Sequence, residues 1–179
     1  MPPLEPPPLT LLDKYRGRDV QTLYAATVTV TGGGAGHGRA SGIARSDDGN
    51  LDLALRLPGE LGGPGGGTNP EQLFAAGYAA CFHGALSLLA AQAGFQVSGS
   101  TVTVTVEFCR DPVDGLFLLK AHTRVRLPGV DRAVAEELVR NTERFCPYAK
   151  MARQGIENIV ALDVSEMSGT ESDGADEGR

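Results

Sequence analysis

Alternating Thr and Val over residues 23–31 (LYAATVTVT) predicts a β-strand, with every second side chain turned to the same face. Residues 41–45 and 51–57 read as two further strands, joined by the turn formers Asp47, Asp48, Gly49 and Asn50. Between these elements lie glycine-rich stretches, 32–38 and 58–67, the second (PGELGGPGGG) a loop that no regular element would tolerate. A helix start follows. Asn69 can cap, Pro70 suits the first helical position, and Glu71 stands three after Thr68 as in a capping box. The predicted helix runs from 70 to about 93 and is apolar nearly all round, which marks a central, buried helix. Residues 97–110 alternate again and pair, across Asp111 to Gly115, with a predicted antiparallel strand at 116–127. An amphipathic helix over 131–145 and a last strand over 156–164 complete the order βββ-α-ββ-α-β. The predicted fold class is α+β, with mostly antiparallel sheets wrapped around one buried helix.

Composition narrows the function. The chain of 179 residues is 41% apolar and contains no Trp, with 24 Gly and 11 Pro shaping its loops. Residues 1–21 are proline-rich and 165–179 are polar and acidic, so both read as disordered tails around a domain at 22–164. Of the formal charge of −6, the C-terminal tail holds −4, leaving the body nearly neutral. An acidic chain lacks the basic face that non-specific nucleic-acid binding needs. The apolar runs read as too short for a membrane span, and the first residues do not form a secretory signal. Three cysteines do not make a secreted disulfide scaffold, so the expected compartment is the cytoplasm.

The cysteines differ in setting. Cys81 falls mid-helix, on one face with Phe74, Gly77, Ala85 and Leu88. Alone, that setting describes a small, inert core hydrophobe. Cys146 ends the second helix and precedes Pro147, which predicts an irregular junction where the thiol is accessible and able to move. A thiol in a rigid helix and a second at a chain junction would form a workable redox pair, if the fold unites them. Cys109 lies on the Thr/Glu side of its strand and reads as a spectator. There is no Cys-x-x-Cys, no zinc-like His pair and no dinucleotide or phosphate-loop fingerprint, so no metal or bound cofactor is expected. His83, about 200° round the helix from Cys81, is not placed to serve as its base.

The segment ELGGPGGGTNPEQLFAAGYAACF (60–82), followed far downstream by Cys146-Pro147-Tyr148, resembles the organic hydroperoxide resistance (Ohr) family of the OsmC/Ohr superfamily. LYAATVTVTGG (23–33) and RSDDGNLD (45–52) match as well, so the resemblance covers roughly 22–164. It implies an intertwined homodimer with active sites at the subunit interface, and thiol peroxidase activity on organic hydroperoxides. The family's peroxidatic cysteine falls on Cys81, its resolving cysteine on Cys146 and its helix-start glutamate on Glu71. Reduced lipoyl groups on proteins are the implied electron donors. The family's active-site arginine is displaced: strict counting puts Gly34 there, and Arg39 becomes the replacement once the longer glycine segment is looped out. Arg45 is the weaker candidate. The alternatives are an OsmC-type peroxidase and a non-catalytic dimeric module for an apolar ligand. An unrelated thiol hydrolase is disfavoured, since no His is positioned for Cys81.

Overall fold

The computed structural model describes residues 12–34 and 40–163; the expectations for 1–11, for Arg39 and for 164–179 lie outside them. The chain divides into two compact units, Met1–Pro70 and Glu71–Arg179.

The first unit is a three-stranded antiparallel sheet in the order β1 (Val28–Thr31), β2 (Ser41–Ser46), β3 (Asp52–Arg56). The tight β2–β3 turn is knotted by Asp48, which accepts from the Ser46 hydroxyl at 2.6 Å and from the Asn50 amide side chain at 2.7 Å. These bonds hold its carboxyl below the ordinary value. The first strand is shorter than its alternation predicts, starting at Val28 rather than Leu23. Its neighbour among the described residues, β2, ends at Ser46 opposite Val28; past that pair only the Asp47 N–H reaches across, to the Thr27 carbonyl at 3.1 Å, and residues 23–26 have no continuing ladder to join. Leu23 and Tyr24 are left exposed.

The second unit sets helices on one face of a hairpin. Here α1 (Pro70–Gln92) is followed by β4 (Thr101–Arg110), β5 (Phe117–Arg126), α2 (Arg132–Phe145) and α3 (Pro147–Gln154). Val102 pairs with Val125 and Val104 with Thr123, so these side chains share the inner face; Thr101, Thr103, Thr105 and Glu107 face outward. The hairpin closes where Gly115, at φ 77°, takes the left-handed conformation and donates to the Asp111 carbonyl at 2.9 Å. On the inner face α1 packs Tyr78, Phe82 and Ala85 against Val102, Val104 and Val125, while Leu86 and Ala90 meet Leu138 of α2. Asp131 caps α2, accepting from the Ala133 and Val134 N–H groups.

Three expectations need correction. α1 has the predicted limits and, at 23 residues, is against the expectation long and apolar enough for a membrane span. It is nevertheless the spine of this unit, yet only one face is buried by its own chain; Ala76, Ala80 and Ala91 remain exposed. The strand predicted at 156–164 is not formed over its described part: residues 156–163 are irregular, with Ile156, Ile159 and Val160 exposed, because alternation supplies a face but not a neighbouring edge. Finally, Pro147 does not merely stop α2. It is the first residue of α3, a helix the sequence pattern did not signal.

Candidate active site

Cys81 and Cys146, 65 positions apart, meet inside the second unit: their sulfurs share an S–H···S contact at 3.5 Å. Both belong to an apolar cluster with Tyr78, Phe82, Ala85 and Ala149, flanked by Phe74, Val104 and Tyr148. The two thiols are unequal. Cys81 is partly exposed on α1, whereas Cys146 is fully buried. That reverses the expected accessible, mobile junction. Cys146 is at once the C-cap of α2 and the N-cap of α3: its N–H donates to the Thr142 carbonyl at 2.8 Å, and its carbonyl accepts from Lys150 N–H at 3.0 Å. With both backbone groups satisfied, the corner between the helices is a fixed point rather than a loose link.

Tyr148, in the first turn of α3, holds the site from two directions. Its N–H donates to the Cys81 sulfur. Its ring lies 5.9 Å from that of Tyr78 and 6.2 Å from that of Phe74. The ring reaches α1 because position 77 is glycine; a Cβ there would stand 2.9 Å from the Tyr148 hydroxyl. The sequence motif AAGYAAC thus encodes a close helix–helix approach beside the thiol.

Electrostatically, burial pushes the Cys81 thiol above its ordinary value; the Tyr148 N–H pulls the other way, and the adjacent Cys146 sulfur adds to the rise. Tyr78 is likewise raised by burial, with a hydrogen bond to Thr123 opposing.

Of the other predicted site residues, Glu71 belongs to the same unit as the two sulfurs. Glu71 is in the first turn of α1, about 15 Å along the helix axis from Cys81. Arg39 lies outside the described residues. In the first unit, Arg45 Nε donates to Asp52 Oδ2 at 3.0 Å, an exposed ion pair across β2 and β3. His83 points outward, 3.3 Å from the Ser100 hydroxyl. Cys109 is a free thiol about 17 Å along β4 beyond Val104. The features missed from sequence were α3 and its Tyr148 N–H. Proline immediately after a helix-ending residue was the available signal, since it suits a helix start as well as a helix stop.

Comparison with known proteins accords with this geometry. A family model described as OsmC-like protein matches residues 63–160. The chain is 41% identical over 143 residues to an organic hydroperoxide resistance protein of Xanthomonas axonopodis pv. citri, covering 79% of this chain and 96% of the relative. It is similar to the crystal structure of the organic hydroperoxide resistance protein OhrB of Bacillus subtilis, with a TM-score of 0.64 and 40% identity over 74% of this chain and 93% of that one. A structure of such a protein from Elizabethkingia anophelis gives a TM-score of 0.68 at 37% identity, covering 77% and 94% of the two chains. A paired-thiol core on an α+β frame, matched at this identity over most of each relative's length, makes the chain a member of the OsmC/Ohr family, within its organic hydroperoxide resistance group.

Proposed function

We propose that this protein is a cysteine-based peroxidase that reduces organic hydroperoxides to alcohols in the cytoplasm, using Cys81 as the peroxidatic and Cys146 as the resolving thiol. The observation carrying this reading is the 3.5 Å contact between two free cysteines that the sequence keeps 65 positions apart.

The roles follow from accessibility. Partly exposed Cys81 can meet substrate; buried Cys146 cannot, but it faces the product of the first step. The Cys81 thiolate attacks the terminal peroxide oxygen, the O–O bond breaks, and the alkoxide leaves and takes a proton as alcohol. Cys81 is now a sulfenic acid. The Cys146 sulfur attacks it, the S–O bond breaks, and hydroxide departs with the thiol proton as water. A disulfide needs sulfurs about 2.0 Å apart, so the pair has only about 1.5 Å to close. The two thiols of a reduced lipoyl group on a partner protein then restore both cysteines. Phe74, Tyr78 and Phe82 around the thiol favour alkyl, aryl or lipid hydroperoxides over hydrogen peroxide.

Burial opposes the thiolate, and one N–H does not offset it, so a cation is required. This reading assigns Arg39, since Arg45 is held by Asp52, and gives Glu71 the role of orienting the guanidinium. The separation of Glu71 from Cys81 calls for an arginine reaching between them, or for a glutamate from a second subunit. A homodimer is supported independently by apolar surface that one chain leaves open. On the hairpin, Phe117 and Leu119 are about half exposed, and the Phe108 and Phe117 rings stack at 4.7 Å on the same unfilled face.

The test is turnover of cumene hydroperoxide with dihydrolipoamide. Wild type is active and Cys81→Ser inactive; Arg39→Ala loses most of the rate. Cys146→Ser protein treated with hydroperoxide forms no intramolecular disulfide at Cys81. An inactive wild type overturns the peroxidase reading in favour of an apolar-ligand module, and a surviving Arg39→Ala enzyme removes Arg39 from it.

A further inference from the structure

The helix corner bearing Cys146 is clasped by a residue that neither the sequence motifs nor the chemistry above uses. Arg153, in the last turn of α3, donates through one nitrogen, Nη1, to two acceptors on Glu143 in the last turn of α2: the backbone carbonyl at 3.1 Å and carboxylate Oε1 at 3.0 Å. A helix leaves its final carbonyls without partners. In α2 the Thr142 carbonyl is taken by Cys146 N–H, and the Glu143 carbonyl by Arg153. The guanidinium also sits where the α2 dipole is negative. Arg153 lies seven residues, about 10 Å of helix, beyond Cys146. The clasp therefore closes a triangle whose apex is Cys146 and whose sides are the ends of α2 and α3.

From this geometry we propose that Arg153 is a positioning residue for disulfide formation: by holding α3 against α2 it keeps the Cys146 sulfur at closing distance from Cys81. The proposal rests on the assignment of Cys81 and Cys146 above. Its chemical consequence is a partition. The Cys81 sulfenic acid either condenses with Cys146, giving disulfide and water, or takes an oxygen from a second hydroperoxide molecule, giving sulfinic acid and alcohol. The first path requires Cys146 in place; the second does not. A half-exposed ion pair contributes little to overall stability, so the clasp should act on this partition more than on folding.

The experiment treats full-length, reduced protein with excess tert-butyl hydroperoxide and measures the ratio of Cys81–Cys146 disulfide to Cys81 sulfinic acid by mass spectrometry. Arg153→Met keeps the apolar stem and removes the donors. It is expected to lower that ratio about fivefold while the initial loss of the Cys81 thiol changes by less than about twofold. Arg153→Lys, whose single nitrogen can reach both acceptors, restores most of the ratio. An Arg153→Met ratio equal to wild type overturns the proposal, and so does a lysine variant no better than the methionine one. Should Arg153→Met fail to fold, Glu143→Gln weakens the clasp from its other side, and an unchanged ratio there overturns it equally. A wild-type protein that forms neither product defeats the Cys81 assignment itself, a result distinct from equal ratios.

Discussion

Gly77 and Gly84 lie on the same helix, and replacing each by alanine separates helix propensity from the Tyr148 contact. Alanine is favoured over glycine in a helix interior by about 0.8–1.0 kcal/mol. At Gly84 nothing stands within 4 Å of an added Cβ, so Gly84→Ala should gain about that amount. At Gly77 the added Cβ would stand 2.9 Å from the Tyr148 hydroxyl and 3.3 Å from its ring carbon. Ordinary contact begins near 3.4 Å, so the ring must retreat by a few tenths of an ångström. It cannot move freely, because it packs on Tyr78 and Phe74. Overpacking of this kind costs about 1–3 kcal/mol. The two substitutions should thus differ by about 1–3 kcal/mol, with Gly77→Ala the less stable. Urea denaturation of both reduced proteins at one protein concentration measures the difference, the fixed concentration removing any contribution from oligomerisation. A Gly77→Ala protein as stable as Gly84→Ala refutes the close approach of Tyr148. Loss of stability in Gly84→Ala would instead mean that a second copy covers the face left open on α1.

Three further outcomes are expected, from two variants. In Arg39→Ala, alkylation of Cys81 should follow a pKa above the ordinary 9.0, in the direction burial imposes, whereas wild type should alkylate readily below it. The linked stability has a definite sign: a thiol raised in the folded state favours folding at low pH, so the Arg39→Ala protein should lose stability as pH climbs past the unfolded thiol's pKa. A variant whose alkylation profile matches wild type would show that another cation activates Cys81. Asp131→Ala removes the acceptor for two N–H groups at the start of α2 and should cost about 1 kcal/mol in thermal or urea unfolding. An unchanged midpoint would mean that water replaces the cap without loss.

What the amino-acid order determined here is local. Asn69-Pro70 at the head of a long, largely apolar run was enough to begin α1 in the right place, and Thr/Val alternation to define β4 and its partner. Helix starts and face alternation depend on neighbours within a few residues, and such signals are written in order along the chain. The helix that carries Cys81 was legible for the same reason, since the block ending at Cys81 is a continuous motif. Strand ends and thiol settings were not. Residues 23–26 and 156–163 alternate as strands do, yet a strand exists only where another edge offers hydrogen bonds, and no window of sequence contains that edge. The setting of Cys146 depended on the tertiary structure in the same way. Proline at 147 read as a release of the chain, but the packing of Tyr148 and Ala149 against α1 makes it the start of α3 and buries the thiol at the corner. Pairing across 65 residues, the N–H aimed at Cys81 and the clasp of Arg153 on Glu143 all depend on where distant helices come to rest. Burial and reach are properties of that packed arrangement, and so only folding decided them.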